Sequence, residues 1–290
     1  MNVQTGLLAD GRRLHLNHGP IDAVIEAWGD AREIRLAYEQ AAITFRDVLP
    51  ALVRELAVLR WPLGDTAPDL RGPVARRMLA AVWPFRNSFI TPMAAVAGAV
   101  ADHLLAAMLI GRRLSRAYVN DGGDIAFHLS SGEHLTCGVV GNILAPTVDG
   151  KIELASEMPV RGIATSGAAT KGTGGRSFSL GIADAVTVLA HDAAAADAAA
   201  TVIGNAVDLP GHASVVRCPA SDMDPDSDLG ERQVTLAVGT LALPEIEAAL
   251  AAGFAEAERL RQSGLIYGAV LTLQGRFLVC GDRSKLMQAA

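Results

Sequence analysis

Up to about Trp28 apolar and polar residues alternate, first at Leu14 and Leu16 and then at Ala23, Ile25 and Ala27. That period of two predicts strands, with Gly19-Pro20 as the turn between them. From Asp30 the period lengthens. Ile34, Leu36, Ala41, Phe45, Val48, Leu52, Leu56 and Leu59 fit an amphipathic helix, and Pro50 marks a break or restart within it. Pro62, Gly64, Pro68, Gly72 and Pro73 make a loop. A short helix is expected from Val74 to Val82, then an extended piece from Phe89 to Pro92. Residues 93–111 are almost unbroken in their apolar character, yet Asp102 and His103 stand in the middle. A charge at a bilayer centre costs about 2.5–3.5 kcal/mol, so a buried core helix is predicted rather than a membrane span.

After Gly111 the pattern turns to β, with strands expected at 116–120, 125–129, 135–140, 151–154 and 159–165. The Gly-rich segment 167–175 reads as a loop. A strand at 186–190 hands over to an alanine-dense helix at 193–206. A strand at 234–241, a helix at 244–262 and two strands at 266–273 and 276–279 follow, the last two joined as a hairpin through Gln274-Gly275. Residues 219–231, rich in Asp, Ser, Pro and Gly, read as a mobile surface loop. Early helices, many strands in mid-chain and later alternation give an α+β class with mainly antiparallel sheet.

The chain has 290 residues, enough for one large domain or two intimately packed halves. Aromatics make up only 4%, so the core must come from aliphatic side chains and close backbone approach. A net charge of −6 and the lack of a basic stripe with interleaved aromatics argue against nucleic-acid binding. Cys137, Cys218 and Cys280 lie far apart without a Cys-x-x-Cys pair, which fits a reducing compartment and gives no zinc signature. The opening Met1-Asn2-Val3-Gln4-Thr5-Gly6 shows no charged and then apolar leader, so a cytoplasmic location is expected.

Four constellations can carry chemistry. Asn120-Asp121-Gly122-Gly123-Asp124 either lets a ligand approach the backbone between two carboxylates or is a tight hairpin turn. Thr165, Ser166 and Gly167 end a strand, either as nucleotide contacts through hydroxyl and N–H groups or as ordinary capping hydroxyls. Lys171-Gly172-Thr173-Gly174-Gly175-Arg176 is either a cationic flap over phosphates or a solvated loop, and its spacing is not that of a Walker A loop. Asp197 and Thr201 stand four apart on one helix face with only alanine between them. Two hard oxygens there make a magnesium half-site, or else a dipole-stabilising acid and a back-bonded hydroxyl. The seven histidines form no ligand pair, and Asp102-His103 reads as a polar contact between helices.

In sequence order these segments resemble the ApbE-like superfamily over roughly residues 85–206. The segment from Pro92 to Asp102 resembles its Gly-Gly-Ile-Ala-Lys-Gly-Tyr-Ala-Val-Asp helix start, and Asn120 to Ile125 its Asn-x-Gly-Gly-Asp-Ile. Ala164-Thr165-Ser166-Gly167 is similar to its Ala-Thr-Ser-Gly, and the segment from Asp197 to Thr201 to its Asp-Ala-Leu-Ala-Thr. The similarity is greater to an uncharacterised cytoplasmic branch, which shares the Pro-Met-Ala-Ala-Val-Ala-Gly-Ala start and the Ala-Asp-Ala-Val-Thr-Val-Leu-Ala run seen here from Ala183 to Ala190.

The resemblance implies an α+β T-fold, with helices packed on mainly antiparallel sheets. It implies flavin transfer, moving FMN from FAD onto a threonine of an acceptor protein with magnesium. Asp197 and Thr201 would then hold the metal. Gly98, Gly122, Gly123, Asp124, Thr165 and Ser166 would line the flavin or nucleotide pocket. Asp124 and Asp184 are candidates for a general base. The chain departs from the pattern at Ala97, where the family has lysine, and lacks the His-Ile-Ile-Asp-Pro-x-Thr-Gly segment. Two rival readings therefore stand beside flavin transfer or pyrophosphate cleavage. One is a ligand-binding protein without chemistry. The other is an enzyme for an unrelated small anionic substrate, with 168–177 as a lid. A homodimer is an expected partner state.

Overall fold

The computed structural model describes residues 3–139, 150–167 and 178–282. The chain divides into two compact units. One comprises Met1–Leu135, Leu154–Ala164 and Ala190–Asp197, and the other Thr136–Glu153, Thr165–Leu189 and Ala198–Ala290.

In the first unit, β1 (Gln4–Leu7), β2 (Leu14–His18), β3 (Ile21–Gly29), β4 (Leu114–Asp121), β5 (Asp124–Leu129) and the start of β8 (Gly162–Ser166) lie side by side. Every registered pair among them is antiparallel. The alternating apolar positions face inward as predicted, with Leu14, Leu16, Ala23 and Ile25 buried. Helices α1 (Ala31–Leu59), α2 (Pro73–Val82) and α3 (Val96–Leu109) pack against one another, and α1 and α3 also pack on the strands.

Two helix boundaries differ from the sequence reading. Helix α1 runs unbroken through Pro50. Pro50 is exposed, whereas Val48 and Leu52 beside it are buried, so packing on the apolar face carries the helix across the missing N–H. The apolar helix starts at Val96 rather than Met93, because Pro92–Ala95 forms a tighter 3-10 turn first. The stretch Pro92–Leu109 is long and apolar enough to cross a membrane by length and composition, and half of it is buried within the protein.

In the second unit, β9 (Ala185–Ala190) is buried at every position and pairs with β12 (Gly268–Leu273), which pairs in turn with β13 (Arg276–Cys280). The expected hairpin is present. Gln274 and Gly275 both take positive φ, 44° and 76°, as a two-residue turn of this kind requires. Helix α6 (Leu243–Gln262) packs on β12 and β13. Two smaller two-stranded ribbons are also described: β6 (His134–Val139) with β7 (Gly150–Ala155), and β10 (Val215–Pro219) with β11 (Gln233–Val238), the latter antiparallel. Helix α4 (Ala193–Ala206) begins in the first unit and ends in the second.

The segment read as a mobile loop at 219–231 is more ordered than expected. It contains the short helix α5 (Ala220–Met223), and Ala220 N–H donates to the Arg232 carbonyl at 2.9 Å. Ser221 Oγ donates to Glu231 at 2.7 Å. The cysteines are free thiols.

Candidate active site

The Asn-Asp-Gly-Gly-Asp segment is the β4–β5 hairpin, with Asp121 paired to Asp124 across it. Gly122 and Gly123 take φ of 63° and 113°, and the Asn120 side chain accepts the Gly123 N–H at 2.8 Å. A Cβ on either glycine would meet nothing within 4 Å, so the turn needs glycine for its backbone angles rather than for space. Directly opposed residues on paired strands share a face of the sheet. The turn thus places two carboxylates side by side. Both are buried, Asp121 to 6% exposure and Asp124 to 9%.

A third carboxylate arrives from α4. Asp197 Oδ2 accepts the Gly98 N–H of α3 at 3.1 Å. Ala95, at the start of α3, provides no side-chain cap, so the first turn of that helix has free N–H groups, and Asp197 takes one. Asp197 is also hydrogen-bonded to Asp124 and lies in the field of Asp121.

The charge balance follows. Burial pushes Asp197 well above the usual carboxylate range, and the charge of Asp121 adds to this, while the N–H groups of Gly98 and Ala97 and the bond from Asp124 offset part. Burial likewise raises Asp121, to about 8. The neighbouring Asp124 charge adds to the rise, and the N–H of Asp22, donating at 3.3 Å, opposes it. Asp102, one turn after Gly98 on α3, is pushed up to about 6 by burial and then by Asp192. It accepts the N–H groups of Ala193 and Ala194 at 3.1 and 2.9 Å, the inter-helix polar contact expected of it.

Close backbone approach makes this arrangement possible. A Cβ on Gly98 would stand 2.3 Å from the Ala193 carbonyl oxygen, and one on Gly162 would stand 2.0 Å from the Asp192 carbonyl carbon. Only glycine fits at either place.

The structure thus brings together Gly98, Asp124 and Asp197 from the sequence-predicted set, and adds Asp121, which sequence reasoning had named only as a flank of the turn. Thr201 follows Asp197 by four residues on α4. Thr165 and Ser166 end β8 in the second unit, where Thr165 Oγ1 lies 2.9 Å from Thr187 Oγ1. Asp184, considered as a base, accepts the Gln274 N–H at 2.5 Å and so anchors the β12–β13 turn. The loop from Lys171 to Arg176 lies outside the described residues.

The donor set is all oxygen, which suits a hard cation, with Asp121 and Asp124 buried and Asp197 half-buried. Among the described residues, no group of three or more His, Cys, Asp or Glu side chains stands ready-arranged around a metal position.

A family model described as AbpE bacteria matches residues 5–279. The chain belongs to the AbpE bacteria family. Among curated proteins this family member is 38% identical over 143 residues to a UPF0280 protein of Methanothrix thermoacetophila, covering 49% of this chain and 56% of that one. It is 35% identical over 173 residues to a UPF0280 protein of Methanosphaerula palustris, covering 58% and 67%. The aligned region therefore spans between about half and two thirds of those relatives' length. Among solved structures it is similar to the ApbE protein of Thermotoga maritima, with TM-score 0.48, 13% identity and full coverage of both chains. It is also similar to a mutant of the flavin transferase ApbE from Vibrio cholerae, with TM-score 0.47, 12% identity and 98% of each chain covered.

Proposed function

We propose that this AbpE-family chain binds FAD or a related nucleotide together with magnesium, and that Asp197 is the protein's principal ligand to the ion. The observation that carries the reading is the state of Asp197. It is a half-buried carboxylate held by an N–H of α3, next to Asp124 and in the field of Asp121. A divalent cation bound at Asp197 would offset the negative charge that Asp121 and Asp124 add around it. When bound, magnesium would neutralise charge on a pyrophosphate. The chain's own residues hold the ion's place and keep the carboxylates oriented. On the sequence resemblance, Thr201 is a further ligand to the ion, and Thr165 and Ser166 are nucleotide contacts. Flavin or nucleotidyl transfer to an acceptor protein, or pyrophosphate cleavage, is the chemistry that follows.

One observation favours a second reading, a protein that binds the nucleotide and performs no transfer. Residue 97 is Ala where the superfamily pattern has lysine. A cytoplasmic setting fits the free thiols.

Calorimetric titration of FAD with and without magnesium tests the binding. Wild type is expected to bind FAD only with the ion, and Asp197→Ala to lose at least about tenfold in magnesium affinity, as loss of a direct ligand implies. Equal FAD affinity for both proteins, with and without the ion, rejects the reading. Product analysis on the loaded protein then separates transfer from binding alone.

A further inference from the structure

Helices α3 and α4 cap one another. The first turn of an α-helix leaves N–H groups without partners inside the helix. In α3 one of them, on Gly98, is taken by Asp197 of α4 at 3.1 Å. In α4 two of them, on Ala193 and Ala194, are taken by Asp102 of α3 at 3.1 and 2.9 Å. Gly98 and Asp102 are one turn apart, as are Ala193 and Asp197, so each helix offers a donor and an acceptor at matching spacing. The missing side chain of Gly98 lets the two first turns touch, since a Cβ there would lie 2.3 Å from the Ala193 carbonyl oxygen.

Capping α4 locally did not require Asp102. Asp192 already serves that role, with its Oδ1 accepting the Ala195 N–H at 2.7 Å. A second carboxylate, only 9% exposed and close to the charge of Asp192, adds an electrostatic penalty. Its distinctive product is a fixed relation between α3 and the first turn of α4.

We propose that Asp102 is a positioning residue, which by gripping the first turn of α4 sets where the Asp197 carboxylate stands against the Gly98 N–H. The identity of what Asp197 holds rests on the reading above, but the grip itself does not.

The test uses the full chain and Asp102→Asn, which keeps the side-chain volume and removes the charge, with Asp102→Glu as a second variant that keeps the charge and moves the carboxylate outward. Amide hydrogen exchange is followed at Gly98, Ala193 and Ala194, with Ala117 in β4 as the internal reference. Both variants are expected to speed exchange about tenfold or more at Gly98 as well as at Ala193 and Ala194, relative to Ala117. Faster exchange at Ala193 and Ala194 with Gly98 unchanged makes Asp102 a local cap and overturns the proposal. If Asp102→Asn does not fold, Asp102→Glu decides by the same criterion. Magnesium titration of wild type and variant runs in parallel. A wild type that ignores magnesium defeats the metal reading and leaves the exchange result to decide the role of Asp102. Where wild type binds, about a tenfold weaker affinity in the variant supports the proposal and an equal affinity overturns it.

Discussion

Replacing Asp121 by Asn should change how stability depends on pH. Asp121 is 6% exposed and pushed up to about 8, by burial first and the Asp124 charge second. In the unfolded chain it would titrate near the ordinary 3.8. Between those values the folded state holds a proton that the unfolded state has released. Stability linked to this group is therefore complete below the unfolded value and is lost as the pH climbs toward 8. From about pH 5 to about pH 7.5 the loss has a ceiling of about 3 kcal/mol, at about 1.4 kcal/mol per pH unit. Asn cannot ionise, keeps an oxygen for the Asp22 N–H, and buries an NH2 group at a cost of about 1–3 kcal/mol at any pH. The variant should thus be less stable than wild type at about pH 5 and draw level with or pass it at about pH 7.5. Urea unfolding of the metal-free protein at several pH values measures this. Stability curves for the two proteins that run parallel across the range would refute the argument, because they would show that Asp121 releases no proton on unfolding.

The other predictions concern packing. Gly98→Ala places a methyl 2.3 Å from backbone, so it should destabilise by about 2–4 kcal/mol in thermal or urea unfolding. Its fold should be rescued poorly by magnesium, because the methyl pushes away the turn that carries Asp197. Pro50→Ala restores an N–H in the exposed middle of α1 and should stabilise by about 1 kcal/mol, read as a raised Tm. Thr165→Val leaves the buried Thr187 hydroxyl without its 2.9 Å partner, costing about 1–2 kcal/mol in the same assay.

The parts of the fold legible in the sequence were those fixed by local rules. The alternation of 14–28, the Gln274-Gly275 turn and the alanine-dense run from Ala193 each specify their own backbone. Pro50 misled because local propensity points to a break, whereas Val48 and Leu52 on either side have distant partners that outweigh it. In ribbon β10–β11 the second strand was legible at 234–241, whereas β10 gives a weak signal. Both strands are short and irregularly exposed, and they are pinned by non-local bonds such as Thr235 N–H to the Ser179 carbonyl and Arg217 to Asp208. The site divides in the same way. Asp197 and the Gly-Gly turn were visible because motif and spacing sit within a few residues. For Asp102 the contact between helices was legible but not its partners, and the role of Asp121 was not legible, since each depends on a neighbour that only the fold supplies. A carboxylate on each side of Gly122-Gly123 was the signal available for Asp121, and it reads equally as a turn.

The crossed capping of α3 and α4 bears on how the chain reaches its native state. Gly98 and Asp197 are 99 positions apart in sequence, and Asp102 and Ala193 are 91 apart. Contacts of such separation carry a high loop-closure entropy and slow a folding reaction. Hairpins β2–β3 and β4–β5, closed by short turns, can form early. The lock between the two helices closes a loop of more than ninety residues, so it is expected to form later than those hairpins. The Asp197 contact to Gly98 is therefore expected to assemble late, and slow folding would show there first.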